Sequence, residues 1–182
     1  KRLIAYSSIS HIGYAIAGLS TGTNEGIQSS ILYITIYAIM NLGFFACLLM
    51  IRKNEKYYEN IEDLSGLSKN HPLISLAMLI ILFSLAGIPP MAGFFAKFYI
   101  FISVIEKSMY FLAIIGLLAT VIAAFYYLRI IKIIYFDEPI EKYDTDHPLG
   151  LKISLILSTL FIMFYFLYPN SLIMFISKIN II

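Results

Sequence analysis

The sequence predicts an all-α membrane protein, a bundle of about five transmembrane helices of which one is discontinuous. Of its 182 residues, 60% are apolar and only 13% are charged, whereas a soluble domain carries about 25% charged residues. Five apolar segments are each long enough to cross a hydrocarbon core of about 30 Å. None of them alternates polar and apolar residues as a barrel strand would, so each is predicted to be a helix.

The predicted spans cover residues 3–19, 27–51, 73–105, 110–136 and 151–168. They form one transmembrane unit, residues 1–168, followed by a tail, residues 169–182, that we expect to lie as a short interfacial helix. The chain begins with Lys1 and Arg2 instead of Met. This start indicates either a removed N-terminus or a piece of a larger protein.

The third segment is too long for one straight span, because the residues from 73 to 105 would make a helix of about 50 Å. It contains Gly87, Pro89, Pro90 and Gly93, and prolines remove amide donors while glycines loosen the backbone. Two interpretations follow. The segment is either two short spans joined by a turn, or one span broken near residues 87–91.

The distribution of Lys and Arg favours the single broken span. In that arrangement only Lys107 and Lys178 lie on one side of the membrane. The other side then holds the remaining flanking cations, namely Lys1, Arg2, Arg52, Lys53, Lys56, Lys69, Arg129, Lys132, Lys142 and Lys152. A two-pass arrangement divides the same residues almost evenly. The loops at 52–72 and 137–149 are therefore predicted to face the positive-inside compartment, and the tail the opposite one.

Lys97 is the leading candidate for chemistry. In the broken-span model it lies nine residues from the end of the second half-helix, roughly 14 Å deep. A lysine at that depth costs at least ~2.5–3.5 kcal/mol, and such residues mark ion pathways or proton relays. The alternative is a lysine near a helix end that extends its amine to the headgroups, which would hold for two short spans.

His11 and Tyr37 are the second and third candidates. His11 lies midway along the first span, where an imidazole can accept a proton on one nitrogen and release one from the other. A neutral histidine bonded to a neighbouring helix is the equally weighted alternative. Tyr37 and Asn41 share a helix face, and packing between helices competes with proton transfer as their role. Tyr33 and Thr35 are expected to point elsewhere.

The other polar residues indicate no redox centre or metal site. Arg129, with Tyr126 and Tyr127, is interpreted as an anchor at the membrane interface. Cys47 is alone in an apolar run and is expected to be a small buried hydrophobe. No residue spacing suits an iron–sulfur cluster, a zinc ion or a phosphate loop. The net charge of +2 is scattered, so no nucleic-acid partner is expected.

Three stretches of the sequence stand out: KRLIAYSSISHIGY at residues 1–14, LAGIPPMAGFFAKF at 85–98 and AFYYLR at 124–129. Together they resemble the antiporter-like subunits of respiratory complex I. The double proline and the lysine at position 97 look most like the branch that contains subunit 2 of mitochondria and subunit N of bacteria. The resemblance covers most of residues 1–168.

The resemblance implies a chain that carries the last five of fourteen helices, and most of the second of two inverted repeats. Lys97 would be the lysine of the terminal half-channel, with His11 and Tyr37 near the central hydrophilic axis, and the break at Gly87–Gly93 would expose helix ends to it. It implies a proton-translocating part of NADH:quinone oxidoreductase in a bacterial or mitochondrial inner membrane. A subunit of a multisubunit sodium/proton antiporter and a structural fragment without a proton path are the alternatives.

The same resemblance implies which chemistry and which partners lie in other chains. NADH, FMN, the iron–sulfur clusters and quinone would belong to partner subunits, and this chain would hold no cofactor. Its partners would be the lipid bilayer, the other membrane-arm subunits including neighbouring antiporter-like ones, and the upstream half of the same subunit if that is encoded separately.

Overall fold

The computed structural model describes residues 2–53, 56–57, 60–139, 143–144 and 147–177. The α-helices in these ranges are α1 Arg2–Leu19, α2 Asn24–Met50, α3 Leu67–Asn70, α4 Pro72–Ala86, α5 Ala92–Glu106, α6 Tyr110–Phe136, α7 Leu149–Phe164 and α8 Asn170–Ser177. The other described elements are an antiparallel pair of two-residue strands, β1 Arg52–Lys53 and β2 Lys56–Tyr57, and 3-10 turns at Glu62–Leu64 and Tyr165–Leu167. The predicted all-α class is confirmed. Three of the cations assigned to a membrane side, Lys1, Lys142 and Lys178, lie outside the described residues. So does the end of the predicted tail, residues 178–182.

The outer surface of the bundle is apolar, as expected for a protein surrounded by lipid. Within the described ranges, three helices are long and apolar enough to cross a membrane by length and composition: Asn24–Met50, Tyr110–Phe136 and Leu149–Leu167. Helix α6 exposes Phe111, Val121 and Phe125 at 78%, 68% and 73%. A water-soluble monomer rarely exposes a continuous apolar surface of this kind. The chain is a multi-pass integral membrane protein.

Helices α4 and α5 form one span that is broken in the middle. Helix α2 packs against both of them, and its contacts run in order along their length. Met40, in its C-terminal half, accepts a hydrogen bond from Ser84 of α4. Leu32, two turns earlier in α2, lines the same cavity as Tyr99 of α5. Met50, the last residue of α2, lines a cavity with the first turns of α4. Going backward along α2 therefore follows α4 and then α5 forward, so both half-helices run antiparallel to α2. This order confirms the discontinuous helix and excludes a two-pass hairpin.

The two loops predicted to share one side of the membrane lie at the same end of the bundle. Lys69 forms an ion pair with Glu138 at 2.7 Å between Nζ and Oε2. The amide of Gly66 donates to the carbonyl of Ile133 at 3.0 Å. At the opposite end, a cavity of about 240 Å³ collects Ile176 of α8 together with residues from the start of α2 and the end of α5.

Candidate functional site

Helix α4 ends at the break with two carbonyl groups that its backbone does not satisfy. Gly87 follows the helix with φ +85°, a left-handed conformation that favours glycine. Its amide donates to the carbonyls of Phe83 and Ser84 at 3.1 and 3.0 Å. The last four carbonyls of a helix lack intrahelical donors. The remaining two, from Leu85 and Ala86, therefore need another partner.

Lys97 of α5 supplies that partner. Its Nζ donates to the carbonyl of Leu85 at 3.0 Å and to that of Ala86 at 3.2 Å. The residue is 5% exposed, so the amine lies inside the bundle at the break. The carbonyl end of a helix carries partial negative charge, which suits a cation. The described ion pairs do not include Lys97, so the amine is held by groups that neither give nor take a proton.

The four residues predicted to break the helix lie between the end of α4 and the first turn of α5. Pro89 and Pro90 are exposed, and the peptide bond between them is cis. The amide of Gly93 donates to Ser84 Oγ at 2.9 Å. A methyl group at Gly93 would overlap the backbone carbonyl of Ser84. Only glycine allows the two half-helices to approach this closely.

His11 is bonded through both of its ring nitrogens. Nδ1 lies 2.8 Å from the hydroxyl of Tyr33, and Nε2 lies 3.0 Å from the hydroxyl of Tyr127. The Tyr127 hydroxyl is also hydrogen-bonded to Ser7 Oγ. His11 is only 2% exposed. Three helices, α1, α2 and α6, therefore contribute to one buried hydrogen-bonded chain from Ser7 to Tyr33.

Tyr37 contacts this chain through its ring. Its ring stacks on the imidazole of His11, with centroids 4.5 Å apart and an interplanar angle of 17°. Stacking fixes the plane of the imidazole and leaves both nitrogens to the hydroxyl partners. Tyr37 thus orients His11 in this structure, and none of its described ring contacts reaches Lys97.

Tyr14 lies between His11 and Lys97. Its ring centroid is 6.4 Å from that of His11 and 5.2 Å from Lys97 Nζ. Its hydroxyl is 2.7 Å from Thr120 Oγ1 on α6. An aromatic ring facing an amine stabilises the cation. Among the described contacts no hydrogen bond links Lys97 directly to His11, so Tyr14 is the side chain that separates the two candidate groups.

The arrangement suits proton transfer better than ligand binding. A neutral imidazole donates from one nitrogen and accepts at the other, and tyrosine hydroxyls do both. A proton that enters the chain at one end can therefore leave at the other. Lys97 adds a group whose charge can change without breaking an ion pair.

Two of the expectations about individual tyrosines were wrong. Tyr33 was expected to point away from the functional face, but its hydroxyl bonds to His11. It precedes Tyr37 by four residues, so the helical repeat places both on one face. Tyr127 was assigned to the interface beside Arg129, yet it is fully buried against His11. Packing of α6 on α1 places it there, and no local pattern indicates this. Tyr14 was also missed, although it lies three residues after His11 on the same helix face.

No metal site is formed in the described ranges, where no group of three or more His, Cys, Asp or Glu side chains comes together. Cys47 is completely buried in α2. The candidate site therefore consists of an amine, an imidazole and hydroxyl groups.

The fold and this site define a class of protein: a multi-pass membrane protein with a lysine held at the break of a discontinuous helix. Residues 1–123 match the family model described as NADH:quinone oxidoreductase/Mrp antiporter, transmembrane. The chain belongs to this family.

Curated relatives agree with the family match. The chain is 71% identical over its whole length to NADH-quinone oxidoreductase subunit N of Pelagibacter ubique, of which it covers 39%. It is 51% identical over 96% of its length to the same subunit of Parvibaculum lavamentivorans, of which it covers 36%. The chain thus spans slightly less than two fifths of the length of each of these relatives.

Solved structures agree as well. A chain of respiratory complex I from Thermus thermophilus with bound aureothin matches 95% of this chain, with a TM-score of 0.82 and 29% identity, over 39% of its own length. A chain of the Mrp complex from Dietzia sp. matches 96% of this chain and 41% of its own length, with a TM-score of 0.80. Because that second match is only 20% identical, it shows a shared fold alone.

Proposed function

We propose that this chain is the C-terminal part of a proton-translocating membrane-arm subunit of NADH:quinone oxidoreductase, and that Lys97 relays the protons. The observation that carries the proposal is the amine of Lys97, buried at a helix break and bonded to two backbone carbonyls. The high identity to relatives named as subunit N supports the choice of complex.

The geometry supports a two-position mechanism for Lys97. In the position described here, the amine is bound to the carbonyl end of α4, which stabilises positive charge. In the other, the amine leaves Leu85 and Ala86 and passes its proton toward Tyr14 and His11. Electron transfer in partner subunits would change the electrostatic field along the membrane arm and shift the balance between the two positions.

His11 and Tyr37 take the remaining roles in this proposal. His11 would accept the proton at one ring nitrogen and release another to Tyr33 or Tyr127, since both hydroxyls lie within hydrogen-bond distance. Tyr37 would hold the imidazole plane by stacking. The break residues Gly87, Pro89, Pro90 and Gly93 would keep the carbonyl end of α4 available to the amine.

The rest of the assembly is proposed from the relatives. Residues 1–168 would be the second half of the antiporter-like domain, and residues 169–182 an interfacial tail. NADH, FMN, iron–sulfur clusters and quinone would be held by partner subunits, and neighbouring antiporter-like subunits and the upstream half would contact this chain. Because the relatives named above are bacterial, we place the chain in a bacterial inner membrane.

The test is Lys97→Ala in the full-length subunit, within its assembled complex in inverted membrane vesicles. Lys107→Ala is the matched control, because it removes an exposed amine just beyond the end of the same helix. NADH oxidation and dye-reported acidification are measured together, and the ratio of protons to electrons is calculated. The proposal expects Lys97→Ala to lower this ratio while electron transfer continues. A ratio equal to that of Lys107→Ala and the wild type would refute it. A ratio that depends on sodium would favour the antiporter alternative.

A further inference from the structure

We propose that Ser84 is a positioning residue that holds the two half-helices in register while Lys97 moves. This inference rests on the proposed relay function of Lys97. Ser84 lies in the last turn of α4 and is fully buried. It is a serine in an apolar span, and its hydroxyl makes its bonds to other elements of the bundle instead of to its own helix.

The hydroxyl of Ser84 bonds across the break in two directions. It accepts the amide of Gly93 at 2.9 Å and donates to Sδ of Met40 in α2 at 3.0 Å. The amide of Gly93 belongs to the first turn of α5, where no intrahelical acceptor is available. Ser84 therefore caps the start of α5 and fixes that start to α2.

Two side chains thus connect the half-helices in opposite directions. Ser84 extends from α4 to the first amides of α5, and Lys97 extends from α5 to the last carbonyls of α4. Gly93 and Lys97 are four residues apart and share one face of α5. Holding Gly93 therefore sets how far the Lys97 amine is from Leu85 and Ala86.

The two connections differ in what happens when a proton moves. Once Lys97 releases its carbonyls, its connection is lost, and among the side-chain bonds described across the break the one from Ser84 remains. Without that bond, no side-chain hydrogen bond described across the break would hold α5 in register with α4, and Lys97 would return less accurately to the same carbonyls. The Ser84 hydroxyl is therefore needed for repeated transfer, in addition to any contribution to folding.

The experiment replaces Ser84 by Ala in the full-length subunit and measures the ratio of protons to electrons in vesicles. Ser75→Ala is the matched control, because Ser75 lies in the same helix, is equally buried and has a hydroxyl with no hydrogen-bond partner among the described residues. A purely structural role would lower the amount of complex, and so both rates together, leaving the ratio unchanged. We expect proton transfer through Lys97 to be about tenfold slower in Ser84→Ala, the effect of one unsatisfied buried amide, and the ratio of protons to electrons to fall with it. Ser75→Ala should match the wild type.

A second pair of variants decides the matter if Ser84→Ala does not assemble. Ser84→Thr and Ser84→Val have the same shape and differ only in the hydroxyl. The inference requires the Thr variant to keep a higher ratio than the Val variant. The inference is overturned if the Thr and Val variants behave equally, whether both translocate protons or neither assembles. It is also overturned if the Ser84→Ala ratio equals that of Ser75→Ala. Lys97→Ala, measured in parallel, separates the claims: if it leaves the ratio intact, the proposed function fails, and if only Ser84→Ala leaves it intact, this inference fails.

Discussion

Replacing Gly87 by Ala perturbs the Lys97 site without touching the lysine. Gly87 has φ +85°, and a Cβ atom added there would lie 3.1 Å from Lys97 Cδ and 3.2 Å from Nζ. Gly22 offers a matched control, because its φ is +63° and a Cβ atom there would meet nothing within 4 Å. The two substitutions share the backbone strain, and only the first displaces the amine.

The magnitudes separate the two effects. A non-glycine residue in the left-handed region costs roughly 1–2 kcal/mol, and this applies to both variants. In Gly87→Ala the amine must also shift by a few tenths of an ångström. Its bond to Ala86 is already 3.2 Å long, and lengthening it further removes most of its energy. Losing that bond costs about 1 kcal/mol or more, which lowers the occupancy of the carbonyl-bound position relative to the released one by at least about fivefold.

The assay compares the two variants in the assembled complex. Subunit content reports the shared strain, and we expect similar, modest losses in both. The ratio of protons to electrons reports the amine, and we expect it to fall in Gly87→Ala and to stay at the wild-type value in Gly22→Ala. If both variants assemble and show the same ratio, the position of the amine against the α4 carbonyls has no part in the mechanism.

Three further predictions concern other contacts. Tyr127→Phe removes the hydroxyl bonded to the imidazole and should lower the proton-to-electron ratio. The control Tyr110→Phe, at an exposed position of the same helix, should leave the ratio unchanged. Equal ratios in the two variants would exclude the Tyr127 hydroxyl from the relay. Gly93→Ala forces a methyl group into the backbone carbonyl of Ser84 and should destabilise the folded subunit by about 1–3 kcal/mol. Quantitative immunoblots of the complex should then show clearly less subunit. A normal level would contradict the close approach of the two half-helices. Lys69→Ala breaks the ion pair between Lys69 and Glu138, whose side chains are 49% and 87% exposed. The loss should change the stability of the subunit by at most about 1 kcal/mol. A marked drop in the amount of assembled complex would contradict this.

The fold was largely predictable because the membrane restricts the possible structures. Apolar length alone indicates each helix, since lipid offers the backbone no other hydrogen-bond partner. Gly87 and the two prolines indicated the break because each prevents helix continuation for a known steric reason. The small strand pair at 52–53 and 56–57 and the 3-10 turn that follows it were not predicted. These elements depend on contacts with the distant loop at 143–144, such as the bond from the Asp144 amide to the Arg52 carbonyl.

The site was predictable only where a single residue carries the signal. Lys97 and His11 stand out as ionisable groups within apolar segments. Tyr33 could have been found from the helical repeat, because it shares a face with Tyr37. Tyr127 could not, since its contact with His11 joins residues 116 positions apart. The same holds for the bond from Ser84 to Met40, which spans 44 positions and depends on how α2 packs against the break.

The most direct test of the account is Lys97→Arg in the assembled complex. Arginine remains protonated in proteins, so this variant keeps the positive charge and the donors for the α4 carbonyls but cannot release a proton. The account predicts that the complex assembles and oxidises NADH, and that its proton-to-electron ratio falls to the value of Lys97→Ala. A wild-type ratio in Lys97→Arg would show that a fixed charge at this position is sufficient, and it would contradict proton relay by Lys97.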